Sequence, residues 1–167
     1  MGNELHETDE NTGTMEVLER HQFDVSKLQD FMYENIEGFE GNIKLEEFKG
    51  GQSNPTYKVI TSKQSYVLRR KPPGKLLKSA HAVDREYKVI TGLNKTDVPV
   101  PKSYALCEDD DVIGTAFYLM EFKDGRVLWD AAMENSDKDE ALGVYKSMND
   151  SMAKLHLVCL LYTSPSP

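Results

Sequence analysis

The sequence has no apolar run approaching the ~20 residues that a membrane-spanning helix needs, which excludes an anchor of that kind. It has no cationic excess either: 20 Lys and Arg stand against 28 Asp and Glu, for a formal net charge of -8. Non-specific nucleic-acid binding works by displacing counterions with a basic face, so that class of partner is excluded. Cysteine is scarce. Cys107 and Cys159 make no disulfide framework, and no Cys/His spacing suits zinc. A reducing, intracellular compartment is the expectation that follows. The first ten residues are acidic and lack the apolar centre of a secretory signal. His6 stands where N-myristoylation needs Ser or Thr. No internal repeat is visible.

What is present suits one ordinary domain: 167 residues, 39% apolar and 29% charged. Residues 1–20 read as a polar, disordered leader. Asp24 or Ser26 can cap a helix in which Val25, Leu28, Phe31, Met32 and Ile36 recur at helical spacing, and Gly38 and Gly41 end it. Three strands with short connections then form an antiparallel meander over residues 43–48, 56–61 and 65–70. A helix over residues 80–93 carries Val83, Tyr87, Ile90 and Leu93 on its buried stripe, with Glu86 beside it. Two more strands, over residues 102–108 and 116–122, flank the acidic turn Asp109-Asp110-Asp111. That triple is a solvated turn rather than a metal site, since three consecutive carboxylates cannot converge from an extended chain. Helical pattern follows: a short helix near residues 127–133, then a longer one over residues 137–158 with Leu142, Tyr145, Met148, Met152 and Leu155 as its apolar stripe.

The chemistry centres on the first hairpin. Gly50 and Gly51 let backbone approach a ligand without a Cβ in the way, and Ser53 and Asn54 add side-chain donors. Taken alone, Gly-Gly-Gln-Ser-Asn reads equally as a tight turn with ordinary capping. Period-two alternation puts Val67 and Arg69 on one face of the third strand and Arg70 on the other. Tyr57 and Val59 share a face and serve either as the roof of a bound base or as core.

Three strands, a helix, two strands, a linker and then helices is the order of a protein-kinase-like small lobe. The residues that carry a closer likeness are Gly50 to Tyr57, Tyr66 to Gly74, His81 to Glu86, Val98 to Pro101, Phe117 to Glu121 and Met152 to His156. On them the chain resembles the aminoglycoside-phosphotransferase-like kinases, and most closely the kinase-like domain at the N-terminus of long acyl-CoA dehydrogenase family proteins. The resemblance implies an α+β fold: a small lobe of five antiparallel strands plus a helix (residues 21–125), then the first helices of a larger lobe (residues 126–158).

It also implies ATP and magnesium as cofactors and a small-molecule hydroxyl, such as that of a hydroxyacyl-CoA, as acceptor. Arg69 would grip the nucleotide phosphates, Glu86 would hold Arg69, and Met120, Glu121 and Phe122 would meet the adenine. Arg69 stands where protein kinases carry lysine, a bidentate fork in place of a point charge. No catalytic or metal residue is nominated. The family's base lies in a His-Gly-Asp loop, and none of His6, His21, His81 and His156 is followed by Gly-Asp or Arg-Asp. The metal ligands and about half of the domain are expected beyond this sequence, and residues 159–167 read as foreign to the family. The alternative is a non-catalytic interaction fragment, or the N-terminal piece of a multidomain acyl-CoA dehydrogenase. By resemblance the compartment is cytoplasmic, peroxisomal or mitochondrial.

Overall fold

The computed structural model describes residues 12–49, 54–72, 82–128, 130–134 and 136–162, with side chains through residue 158. Asp24 caps the first helix, α1 (Val25–Asn35): its carboxylate accepts from the Ser26 N–H at 3.0 Å, and those hydrogen bonds hold it below the usual carboxylate range. Helix α1 is left at Gly38 and Gly41, both at positive φ, where a glycine avoids a Cβ clash.

Six strands follow the order β1-β2-β3-β4-β6-β5, every pair antiparallel. They are β1 (Thr14–Met15), β2 (Lys44–Phe48), β3 (Thr56–Ile60), β4 (Ser65–Arg70), β5 (Ser103–Cys107) and β6 (Phe117–Glu121). The expected five-stranded sheet gains β1, which pairs with Glu47 and Phe48 from inside the stretch read as a leader. A two-residue strand carries no alternation, so periodicity could not show it. The segment after it is tied down by Glu47. This buried carboxylate meets His21 Nδ1 at 2.6 Å and accepts from the Leu18 N–H at 3.1 Å.

The core is split between the two faces of the sheet. One face packs against α1, with Leu28 and Met32 of the helix on Tyr57, Leu68, Phe117 and Leu119 of the strands, all fully buried. The other packs against α2 (Val83–Leu93), where Val83, Ala116 and Tyr118 are buried beneath Tyr87 and Ile90. Leu119 pairs with Leu68 and so lies on the α1 face.

Two local expectations change. The Asp109–Asp111 triple opens a short helix, α3 (Asp110–Ile113), in which Asp109 accepts from the Asp111 N–H. No helix spans the described residues of 127–133. Asp130 instead accepts from the N–H groups of Ala132 and Glu134, and Met133 adopts φ 53°. The last helix, α4 (Lys138–Tyr162), is four residues longer than its expected end at residue 158, and Asp137 caps it.

Candidate functional site

Strand register sets the site. Thr56 pairs with Arg69 and Arg69 with Tyr118, while Lys58 pairs with Val67 and Val67 with Met120. Paired residues share a face, so these two rows lie side by side on the face of the sheet that carries α2. Tyr118 and Met120 pack there with the helix.

Helix α2 presents Glu86 in its first turn, where an acidic residue also suits the helix dipole. Glu86 Oε2 lies 2.8 Å from Arg69 Nε and accepts from the Tyr118 hydroxyl at 3.1 Å. Its Oε1 accepts from Asn54 Nδ2 at 3.5 Å. The Arg69 Nε–H is not aimed at the carboxylate, so the two make an ion pair rather than an aligned hydrogen bond. Both side chains are about one-third exposed, 34% and 36%. The pair is therefore partly buried, and the roughly 3–5 kcal/mol that breaking a well-desolvated pair from one side would cost does not apply to it. Partial exposure puts the contribution at ~1 kcal/mol or less. Tyr118 is buried, and burial first, then the Glu86 charge, raises its hydroxyl well above the usual tyrosine value. It remains a proton donor at any ordinary pH.

Along the same sheet face, one step from Arg69 on β4, Val67 and Met120 floor an open groove of about 360 Å³. Phe48, Thr56, Pro101, Glu121, Phe122 and Lys123 complete its lining. Phe48 and Phe122 stack at 6.4 Å between centroids and 23° between planes, with Lys58 Nζ 4.1 Å over the Phe122 ring. Glu121, at the end of β6, is committed to structure. It pairs with Lys123 at 2.7 Å and accepts from the Lys102 N–H at 3.2 Å, and its carboxyl is lowered by both.

Of the residues nominated from sequence, Asn54 and Arg69 both meet Glu86, and Val67, Met120, Glu121 and Phe122 line the neighbouring groove. Tyr57 does not join them. It is fully buried on the opposite face, with its hydroxyl donating to the His21 carbonyl at 3.0 Å. Gly50, Gly51 and Ser53 lie outside the described residues. Sequence reasoning passed over Tyr118 and Phe48. The signal for Tyr118 was available, since it is two residues before Met120 on one strand. Among the described residues no group of three or more His, Cys, Asp or Glu side chains is placed to hold a metal.

An antiparallel sheet whose central strand carries a cation, paired to a carboxylate on the one helix across from it and leading into a linker, defines a small lobe of the protein-kinase type. The sequence profile of the phosphotransferase enzyme family matches residues 44–161, and the chain belongs to that family. A crystal structure from Ralstonia eutropha, assigned by name to the aminoglycoside phosphotransferases, superposes with a TM-score of 0.70 at 47% identity. It matches 81% of this chain and 38% of that one.

Two curated relatives are acyl-CoA dehydrogenases by name. "Probable acyl-CoA dehydrogenase IBR3" of Arabidopsis thaliana is 46% identical over 144 residues, covering 81% of this chain and 18% of that protein. Human "Acyl-CoA dehydrogenase family member 11" is 39% identical over 145 residues, covering 84% and 19%. The chain thus spans about a fifth of the length of these relatives.

Proposed function

We propose that this chain is the nucleotide-binding half of an ATP-dependent small-molecule phosphotransferase. The observation that carries the reading is the adjacency, on one sheet face, of an apolar groove and a cation anchored by a helix carboxylate. A purine ring suits the groove, where Met120 and Val67 offer a flat apolar floor beside Phe122. Arg69, on the same strand face as Val67, supplies the positive charge that phosphates require. ATP, when bound, supplies the phosphoryl group for transfer. The chain's own residues would bind and orient it: Arg69 at the phosphates, paired with Glu86, which Asn54 and Tyr118 hold in place. Among the described residues no cluster of carboxylates fits magnesium.

The acceptor is a small molecule with a hydroxyl group. The names of the long relatives support a hydroxyacyl-CoA, and an intracellular compartment that holds both it and ATP, whether cytoplasm, peroxisome or mitochondrion. A second reading, a non-catalytic module of a multidomain acyl-CoA dehydrogenase, is favoured by one observation: the long relatives that the chain matches over about a fifth of their length are acyl-CoA dehydrogenases by name. Titration of the 167-residue chain with ATP, followed by the nuclear magnetic resonances of Met120 and Phe122, tests the nucleotide reading. Saturable shifts that Arg69→Ala abolishes are expected. Shifts absent in the unaltered chain, or indifferent to Arg69→Ala, would overturn it.

A further inference from the structure

We infer that Tyr118 is a positioning residue of this site, selecting the conformation of Glu86 from which the carboxylate anchors Arg69. The inference rests on the nucleotide reading for its purpose but on geometry for its substance. Glu86 is a long side chain, about one-third exposed, on the first turn of a helix. Such a carboxylate has several solvated rotamers available, and an exposed ion pair offers little to offset the entropy of choosing one. The Arg69 contact is weaker still as a restraint, because its Nε–H is not aligned with the oxygen.

Tyr118 is of a different kind. Its ring is 2% exposed, packed among Val83, Ala116 and Tyr87, the last at 6.0 Å between centroids. The hydroxyl therefore projects from a fixed point and donates to Glu86 Oε2 at 3.1 Å, the same oxygen that faces Arg69. A rigid neutral donor on a charged acceptor is the stronger class of hydrogen bond. Asn54, at 3.5 Å from the other oxygen, completes the restraint from the hairpin side. The carboxylate is thus held from strand β6 and from the hairpin, and the guanidinium finds it in place.

Tyr118→Phe deletes the hydroxyl and leaves the ring, so the melting temperature should stay near that of the unaltered chain. Two quantities are read on the full 167-residue chain: ATP affinity, and solvent exchange of the Arg69 Nε proton without nucleotide. The expected result is ATP binding weakened about tenfold and faster Arg69 exchange. Unchanged affinity together with unchanged exchange overturns the inference. If the unaltered chain binds no ATP, the nucleotide reading fails and the exchange measurement alone decides: a rate unmoved by Tyr118→Phe refutes positioning, and a faster one supports it. Should Tyr118→Phe fail to fold, Tyr118→Met, which also lacks the hydroxyl, is read in the same way.

Discussion

Arg69 and Arg70 are neighbours in sequence and occupy opposite faces of β4. Arg69 reaches Glu86 beneath α2 and stays about one-third exposed, at 34%. Arg70 is 3% exposed on the α1 side, its guanidinium 5.2 Å from the Phe23 ring centroid and 5.9 Å from that of Tyr57. The two cations therefore have different work. Replacing Arg69 by alanine removes a partly solvated ion pair and should change stability by less than about 1 kcal/mol while abolishing nucleotide binding. Replacing Arg70 by alanine opens a gap beside two aromatic rings and should cost about 2 kcal/mol. Urea denaturation of the two variants separates the roles, and equal stability losses would contradict the assignment.

The division between the arginines was legible in the sequence, because a strand's alternation needs no knowledge of its neighbours. The phase of Glu86 on its helix was legible for the same reason. What alternation within one strand cannot give is the register between strands. Tyr57 was left open between ligand roof and core, and only its pairing with Leu68 settles it on the α1 face. Phe48, the last residue of β2, meets Phe122, the residue after β6, although the two strands are not neighbours in the sheet, a contact without a local signal. The helix expected near residues 127–133 fails because the Asp130 carboxylate takes the N–H groups of Ala132 and Glu134.

Glu47 joins the N-terminal segment to the sheet through His21 and the Leu18 N–H. Glu47→Ala leaves that N–H and the imidazole without their buried partner and should lower stability by about 2 kcal/mol. The loss should be accompanied by faster hydrogen exchange at Leu18 and at the amides that pair β1 with β2. A variant as stable as the unaltered chain would show that water replaces the carboxylate without cost.

Burial raises the Tyr57 hydroxyl to about 12, and the unfolded chain would ionise it near 10. A raised folded value means that the folded state keeps the proton that the unfolded state gives up. The associated stability is complete below pH 10 and is lost as pH rises towards 12. Over that window Tyr57 alone should take away about 2–3 kcal/mol. Denaturant unfolding across this range, with tyrosinate absorbance followed in parallel, should show the late-titrating phenol ionising with the unfolding transition. Tyr57→Phe should flatten the alkaline slope, and an unchanged slope would assign it to other groups.

Helix α4 carries Tyr145, Met148, Met152 and Leu155 at alternating spacings of three and four, which is one continuous face of a helix. All four are exposed, with Met148 and Met152 at 54% and 56%, and Leu142 beside them at 50%. The charges on the helix balance, Lys138, Lys146 and Lys154 against Asp139, Glu140 and Asp150, so a chain of net charge -8 is neutral where it is most apolar. Nothing electrostatic on α4 itself opposes association through this face, and an open apolar stripe of this kind draws chains together. The apparent mass of the 167-residue chain should therefore rise with concentration across the micromolar range. Met148→Lys combined with Met152→Lys places two charges at the centre of the stripe and should return the chain to monomer. Because both side chains already face solvent, the melting temperature of the folded unit should hardly move. Sedimentation showing a monomer at every concentration for the unaltered chain would mean that the stripe is too narrow or too mobile to pair.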